Sequence, residues 1–295
     1  MHRSSAPAAL LLAACAGSPA ATQETGEPAA PPETCNGHLA LCDRPLDQVT
    51  LPGTHNSMSN ADAGWGFPNQ QHGLTRQLDD GVRALMLDTH RTDDGLMLCH
   101  SYCELGQQPL GEGLGEIAAF LDANRGEVVV IIFQDAITVD ETVGALDDAG
   151  LADRAYTWDP TAPAMPTLRQ LIDADTRLVV SAEFSGPPPA WYHHAWDLIV
   201  DTPYSFESAE QFSCAQNRGA ADNPLLLVNH WLSTPLPTQA GAAEINQADV
   251  LGARADACAA EWGRPVNLLA VDFYEQGDLF DVVDRLNGVG AWADR

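Results

Sequence analysis

Apolar residues in this chain cluster in short runs separated by longer amphipathic or polar stretches. Such runs occupy 48–51, 82–87, 128–133, 178–182, 198–200, 225–228 and 266–271. Most are continuous and do not alternate, which marks strands covered on both faces, as in parallel sheets. Between them the spacing changes to three and four, as at Ile117, Phe120 and Leu121. That spacing predicts helices over 114–124, 167–172, 248–262 and 279–286, with Thr167 capping the second after Pro166. Strand and helix in alternation predict an α/β fold with crossovers. The runs fall one short of the eight strands of a (β/α) barrel. An open doubly wound sheet also accommodates them. No internal repeat and no second domain is visible.

A polar group follows the C-terminal end of each run. His55 comes four residues after Leu51, and Asp88 follows Leu87. Gln134 and Asp135 follow Phe133, Glu183 follows Ala182, and Asp201 follows Val200. Asn229 and His230 follow Val228, and Asp272 follows Val271. In a barrel these ends converge on one rim, where catalytic groups collect. His55 and His100, which ends the stretch Leu96-Met97-Leu98-Cys99-His100, arrive there from separate strand ends. Two imidazoles can divide the work of base and acid between them. Either alone would favour the reading of a hydrogen-bonded structural histidine. His230 fits the rim or a structural role. Trp191 to His194 read as rim or packing, and His38 and His72 as solvent-facing.

Charge narrows the function. The net charge is -27, and all 14 basic residues are arginine. That field repels nucleic acid, and the lack of lysine excludes lysine Schiff-base and P-loop chemistry. The N-terminal residues 1–15 read as a signal peptide. Leu12-Ala13-Ala14-Cys15 resembles a bacterial lipobox, so a lipid on Cys15 would anchor the chain to a membrane. Residues 16–34 have the composition of a tether, and 35–295 remain as the folded domain. The expected location is outside the cytoplasm, either secreted or held at the cell envelope. The other cysteines suit disulfides in an exported chain. Local spacing favours Cys35–Cys42 and Cys99–Cys103, leaving Cys214–Cys258. A zinc site is the weaker alternative, since paired Cys-x2-Cys spacing is absent.

Five segments carry a resemblance to a known family. They are Leu-Pro-Gly-Thr-His-Asn-Ser (51–57), Gly-Val-Arg-Ala-Leu-Met-Leu-Asp (81–88), Leu-Cys-His-Ser (98–101), Phe-Leu-Asp-Ala-Asn-Arg-Gly-Glu-Val-Val (120–129) and Leu-Ala-Val-Asp-Phe-Tyr (269–274). In this order, across 45–290, the chain resembles the X-domain superfamily of phosphatidylinositol-specific phospholipases C, the PLC-like phosphodiesterases, and within it the exported microbial members with extra cysteines. The resemblance implies an irregular (β/α) TIM-type barrel that cleaves a phosphodiester, with a phospholipid or another phosphodiester as substrate; no protein partner is inferred. It implies that His55 is the general base, Asp272 its orienting carboxylate and His100 the general acid. Asp88 would support His100 or bind a metal. In the family the inositol 2-hydroxyl attacks phosphorus and releases diacylglycerol.

The chain departs from the family where charge is neutralised. Metal-independent members carry an Arg where this chain has His90 and a Lys where it has Gln134. Calcium-dependent members use carboxylates where it has Met86 and Gln134. A Ca²⁺ site built from Asn56, Asp88 and Gln134 would be weak, because calcium takes about six to eight oxygens including several carboxylates. A protonated His90 would then serve as the cation, while Arg91 points elsewhere. Glu183 stands near the position of an Arg in the family's inositol pocket, which favours a different head group. Two alternatives stay open: a metal-assisted phosphodiesterase acting on glycerophosphodiesters or sphingolipids, and a catalytically silent barrel that binds a phosphorylated ligand.

Overall fold

The computed structural model describes residues 1–2, 31–233 and 236–290. The lipobox cysteine Cys15 and the tether up to residue 30 lie outside them, as does all of the leader after its second residue. In chain order the elements are β1 (Leu51–Thr54), α1 (Leu74–Asp80), β2 (Ala84–Thr92), β3 (Gly95–Leu98), β4 (Gln108–Pro109), α2 (Leu110–Ala123), β5 (Val129–Asp135), α3 (Val139–Asp148), α4 (Leu168–Asp173), β6 (Leu178–Ala182), β7 (Tyr192–His194), α5 (Ala195–Leu198), β8 (Ile199–Asp201), β9 (Leu225–His230), α6 (Gln239–Ile245), α7 (Ala248–Trp262), β10 (Leu268–Val271) and α8 (Leu279–Asn287). None of the described helices is long and apolar enough to cross a membrane.

The strands order as β7-β6-β5-β2-β1-β10-β9-β8, all parallel, and β3 and β4 add an antiparallel flap to the end of β2. Sequence order never reverses across the sheet, so this is a curled TIM-type barrel and not a doubly wound sheet. β7 and β8 do not pair, and the barrel stays open between them. Only the single turn of α5 joins these two strands. A parallel neighbour needs a crossover of roughly a dozen residues or more, so these two cannot lie side by side.

The unbroken apolar runs divide by alternation. Leu85, Leu87, Ile131, Phe133 and Val180 pack outward with Leu114, Ile117, Leu121 and Leu251 of the helices. Their neighbours Ala84, Met86, Val130, Ile132 and Val179 form a separate inner cluster with Leu46, Leu168 and Leu171. Each strand thus feeds two cores, and no polar face remains to alternate.

Differences from the sequence pattern cluster at strand ends. Leu46–Gln48 is a 3-10 turn, and β1 starts only at Leu51. Pro52 is tolerated in this central strand because its N–H would face the β2 side, where β2 has not yet begun; its carbonyl accepts from Arg83 N–H. Gly53 is needed, since an added Cβ would lie 3.2 Å from Ala84 Cβ and 3.4 Å from Ala270 Cα. β2, β5 and β9 run on through Asp88, Gln134 and His230, which therefore lie inside strands and not past them. Tyr192 to His194, read as rim or packing, are the missing eighth barrel strand, and Tyr192 is fully buried. Helices α1, α3, α5 and α6 were not among those that the apolar spacing predicted. Thr167 does cap α4, in a capping box with Gln170.

The disulfides are Cys35–Cys42, Cys99–Cys103 and Cys214–Cys258, as the spacing favoured. The last spans 44 residues and ties the loop after β8 to α7, where Trp262 also donates to Cys214 O. Replacing both cysteines by alanine should cost roughly 2–4 kcal/mol, because the closed loop restricts the unfolded chain. Urea unfolding checks this: the midpoint should fall, and an unchanged midpoint would mean that the link does not constrain the chain.

Candidate active site

β1 and β10 run in register, with Thr54 opposite Val271. The next residue on each is His55 and Asp272, so two positions far apart in sequence leave the barrel side by side. His55 N–H donates to Val271 O, which continues the ladder one step. His55 Nδ1 lies 2.9 Å from Asp272 Oδ1, and Asn69 Nδ2 donates to the same oxygen at 3.1 Å. Asp272 is buried. With Nδ1 held by a carboxylate, the ring presents Nε2 as its free nitrogen. The ring also stacks on Trp231, with centroids 3.8 Å apart and planes 3° from parallel. Asn56 takes a left-handed backbone (φ 45°), and its Nδ2 donates to Asn69 Oδ1.

β2 and β5 pair with Asp88 opposite Gln134. Asp88 Oδ2 lies 2.8 Å from His100 Nδ1, and Cys99 N–H donates to Asp88 O. His100 sits in a tight loop closed by the Cys99–Cys103 disulfide, with its side chain about half exposed. The hydrogen bond that His100 donates to Asp88 raises the pKa of His100, partly offset by burial, and the charges of Asp88 and Asp272 add to the rise. Its imidazolium therefore persists to higher pH than that of a free histidine. The rings of His55 and His100 stand 6.4 Å apart at 72°. Each is backed by its own carboxylate and faces one cleft of about 530 Å³.

The far wall of the cleft carries a residue that the sequence pattern did not reveal. Arg218, from the loop after β8, bonds Asp201 through Nε and Nη2 and Glu183 through Nη1. Its guanidinium lies over Trp196 at 3.9 Å and Tyr204 at 4.6 Å. Arg218 is the arginine of the cleft lining among the described residues. Burial raises the pKa of Glu183, Arg218 pulls it down, and Asp88 pushes it up again. Asp201 could have pointed to Arg218 only through tertiary pairing. Trp231 follows a strand end, but a search for polar groups passes over it.

Other expected groups fall outside the cleft. His90 is not part of its lining and lies beside Cys99 and Cys103, whose sulfurs are bonded to each other. It follows β2 onto the flap, past the rim, so it does not supply the cleft's cation. Arg91 pairs with Glu141, away from the site. His230 is fully buried, with Nε2 on Ile245 O, and burial followed by Arg254 lowers its pKa to about 3. Alternation along β9 turns it to the helix side. Phe273 and Tyr274 are both buried and outside the cleft lining; the Tyr274 hydroxyl donates to Asp80. His72 pairs with Asp62, and His38, read as solvent-facing, is largely buried against Asp284.

Asn56, Asp88 and Gln134 do line the cleft. Asp88 already accepts from His100, Gln134 hydrogen-bonds Glu183, and Glu183 is ion-paired to Arg218. One spare carboxylate oxygen and two amides do not make a calcium cage, which needs several carboxylates.

The PI-PLC X 1 family profile matches residues 41–287. A PI-PLC X domain-containing protein of Arthroderma benhamiae is 29% identical, over 92% of this chain and 94% of its own length. An uncharacterized secreted protein of the same fungus is 29% identical, over 92% of this chain and 68% of its own. A structure of phosphatidylinositol-specific phospholipase C from Staphylococcus aureus superposes with a TM-score of 0.61 at 17% identity, covering 88% of this chain and 98% of that one. The last likeness concerns the fold.

Removing the carboxylate beside His100 tests the electrostatics directly. In Asp88→Asn the His100 ring should lose its proton at lower pH than in the parent, because the largest cause of its raised pKa is gone. NMR titration of the ring protons reads this, and an unmoved titration would refute the pairing.

Proposed function

The chain belongs to the PI-PLC X family, and on that premise we propose that it is a phosphodiesterase of the phospholipase C type, cleaving a phospholipid by paired histidine acid–base chemistry. The observation that carries this reading is the pair of imidazoles 6.4 Å apart, each with Nδ1 held by a different carboxylate. That arrangement leaves two Nε2 atoms for one phosphorus between them.

His55 Nε2 takes the proton of the attacking hydroxyl as its oxygen bonds to phosphorus. The bond from phosphorus to the glycerol oxygen breaks, and that oxygen takes the proton of His100 Nε2. Asp272 stabilises the imidazolium formed on His55, and Asp88 keeps His100 protonated beforehand. A hydroxyl of the head group next to the phosphate gives a cyclic product and diacylglycerol. Water then resets the pair in reverse, giving its proton to His100 while His55 returns one to the ring oxygen. Negative charge developing on the phosphoryl oxygens meets the His100 imidazolium and the N–H groups of Arg218. Because two carboxylates already balance Arg218, this cleft suits a head group that brings hydroxyls and no further negative charge.

The disulfides and the leader pattern support an exported protein, as the secreted relative does. Lipidation of Cys15 would hold it at the cell envelope. Mass spectrometry of the mature N-terminus tests this, with acylated Cys15 as the expected first residue and an unmodified terminus elsewhere as the refuting one.

His55→Ala and His100→Ala should each lower turnover by about 10²–10⁴-fold with the fold intact. Phosphorus NMR of the products should show a cyclic phosphate, and EDTA should leave the rate unchanged. Full turnover in the double variant would overturn the mechanism. The rate should fall as pH rises through the raised pKa of His100, and in Asp88→Asn this limb should move to lower pH.

A further inference from the structure

Three neighbouring strands, β1, β10 and β9, end on one rung of the barrel. Thr54 of β1 lies opposite Val271 of β10, and Val271 lies opposite His230 of β9. The residues that follow them are His55, Asp272 and Trp231. The register that joins the base to its carboxylate therefore brings an indole to the same place. Trp231 is only 3% exposed and packs in the inner core with Leu227 and Leu268, so its ring has little freedom. The His55 ring lies flat on it, with centroids 3.8 Å apart and planes 3° from parallel. Nδ1 of that ring is taken by Asp272, and the side chain remains 20% exposed.

Charge decides what this stack favours. Two neutral aromatic rings avoid lying face to face, because each face is negative. They prefer offset or edge-on contacts with centroids about 4.5–7 Å apart. The pair here is closer and almost parallel. A cationic ring reverses the sign, since an indole face attracts positive charge more strongly than any other aromatic side chain. His55 becomes such a ring when it takes a proton. Among the charged groups that face it, Asp272 holds Nδ1, and His100 stands across the cleft with Asp88 behind it. Arg218, on the far wall, is held by Asp201 and Glu183. Asp272 acts at the edge of the His55 ring and the indole at its face, so the two attractions come from separate directions.

We propose that Trp231 is a positioning residue for the proton transfer, its indole holding the imidazolium that His55 becomes on taking the hydroxyl proton at Nε2. The attraction is weak while the ring is neutral and grows as the charge arrives. It therefore lowers the barrier and leaves substrate binding unchanged. When His55 later returns the proton to the ring oxygen of the cyclic product, the charge and the added attraction are lost together. This deepens the phosphodiesterase reading and rests on it for its use, so one of the measurements is independent of turnover.

The test places fluorinated tryptophans, carrying progressively more fluorine, at position 231 of the full chain. Shape is nearly kept, while each fluorine draws negative charge from the indole face. NMR titration of the His55 ring protons reads the stack without substrate. The ring should lose its proton at lower pH with each added fluorine, and about one pH unit lower in Trp231→Leu than in the parent. Turnover is read on phosphatidylinositol in detergent micelles. There kcat should fall stepwise along the series and about tenfold in Trp231→Leu, with KM within about twofold. Trp231→Phe should lie between Trp231→Leu and the parent. The acid limb of the pH–rate profile should move to lower pH in the same order. If the urea midpoint shows that Trp231→Leu is misfolded, the fluorinated series alone decides. The proposal falls if the His55 titration does not move across that series, if kcat stays at the parent value, or if the loss lies in KM. Full turnover in His55→Ala would instead overturn the acid–base reading, and the titration would still decide whether the indole holds the imidazolium.

Discussion

The register of β1 against β10 is the constraint on which the site depends. Thr54 opposite Val271 makes His55 and Asp272 neighbours, although they lie 217 residues apart. A shift of one residue would turn both side chains to the other face. It would also carry the inner and outer cores out of place, so the same packing that stabilises the barrel fixes the imidazole. Asn69 and Gln70 reinforce this from a loop: Asn69 donates to Asp272, and Gln70 donates to the carbonyls of His55 and Val271. Asp272 thus accepts from Asn69 while it holds the His55 ring, which fixes both side chains.

The cleft gathers acids, yet each has a partner. Asp272 faces His55, Asp88 faces His100, and Asp201 and Glu183 share Arg218. Unpaired carboxylates at these depths would take up protons or destabilise the fold. Each carboxylate here is instead held by an imidazole or by the guanidinium of Arg218. Arg218 brings a guanidinium to the same cleft from a different loop, already held by aromatic faces and carboxylates. The Cys99–Cys103 loop carries His100, the more exposed of the two imidazoles.

Much of this was legible in the chain. Continuous apolar runs marked the barrel strands because both their faces are covered. The rule that polar groups gather at strand ends found His55, Asp88, His100 and Asp272, since a barrel brings those ends together. Cysteine spacing gave two disulfides because short loops close easily, and the third, across 44 residues, was the pair that remained. Strand ends themselves were read too early at Leu87, Phe133 and Val228: Asp88, Gln134 and His230 are polar, but the ladder continues through them. His90 and His230 were placed by sequence neighbourhood, whereas alternation and the flap carry them out of the cleft.

What the sequence alone determined is seven of the eight barrel strands, helices α2, α4, α7 and α8, the parallel pairing and the chemical groups at the strand ends. These follow from local rules, in which apolar period, capping residues and strand-end polarity act over a few positions. Only the tertiary structure decided which groups meet. Arg218 beside Asp201 and Glu183, Trp231 on the His55 ring, and Gly66 on Leu105 are contacts between segments distant along the chain. No period or spacing encodes such a contact, because loop paths are set by how the completed barrel packs. The break between β7 and β8 lies between these cases. The chain supplies too short a connection there, and the folded barrel shows the gap that results.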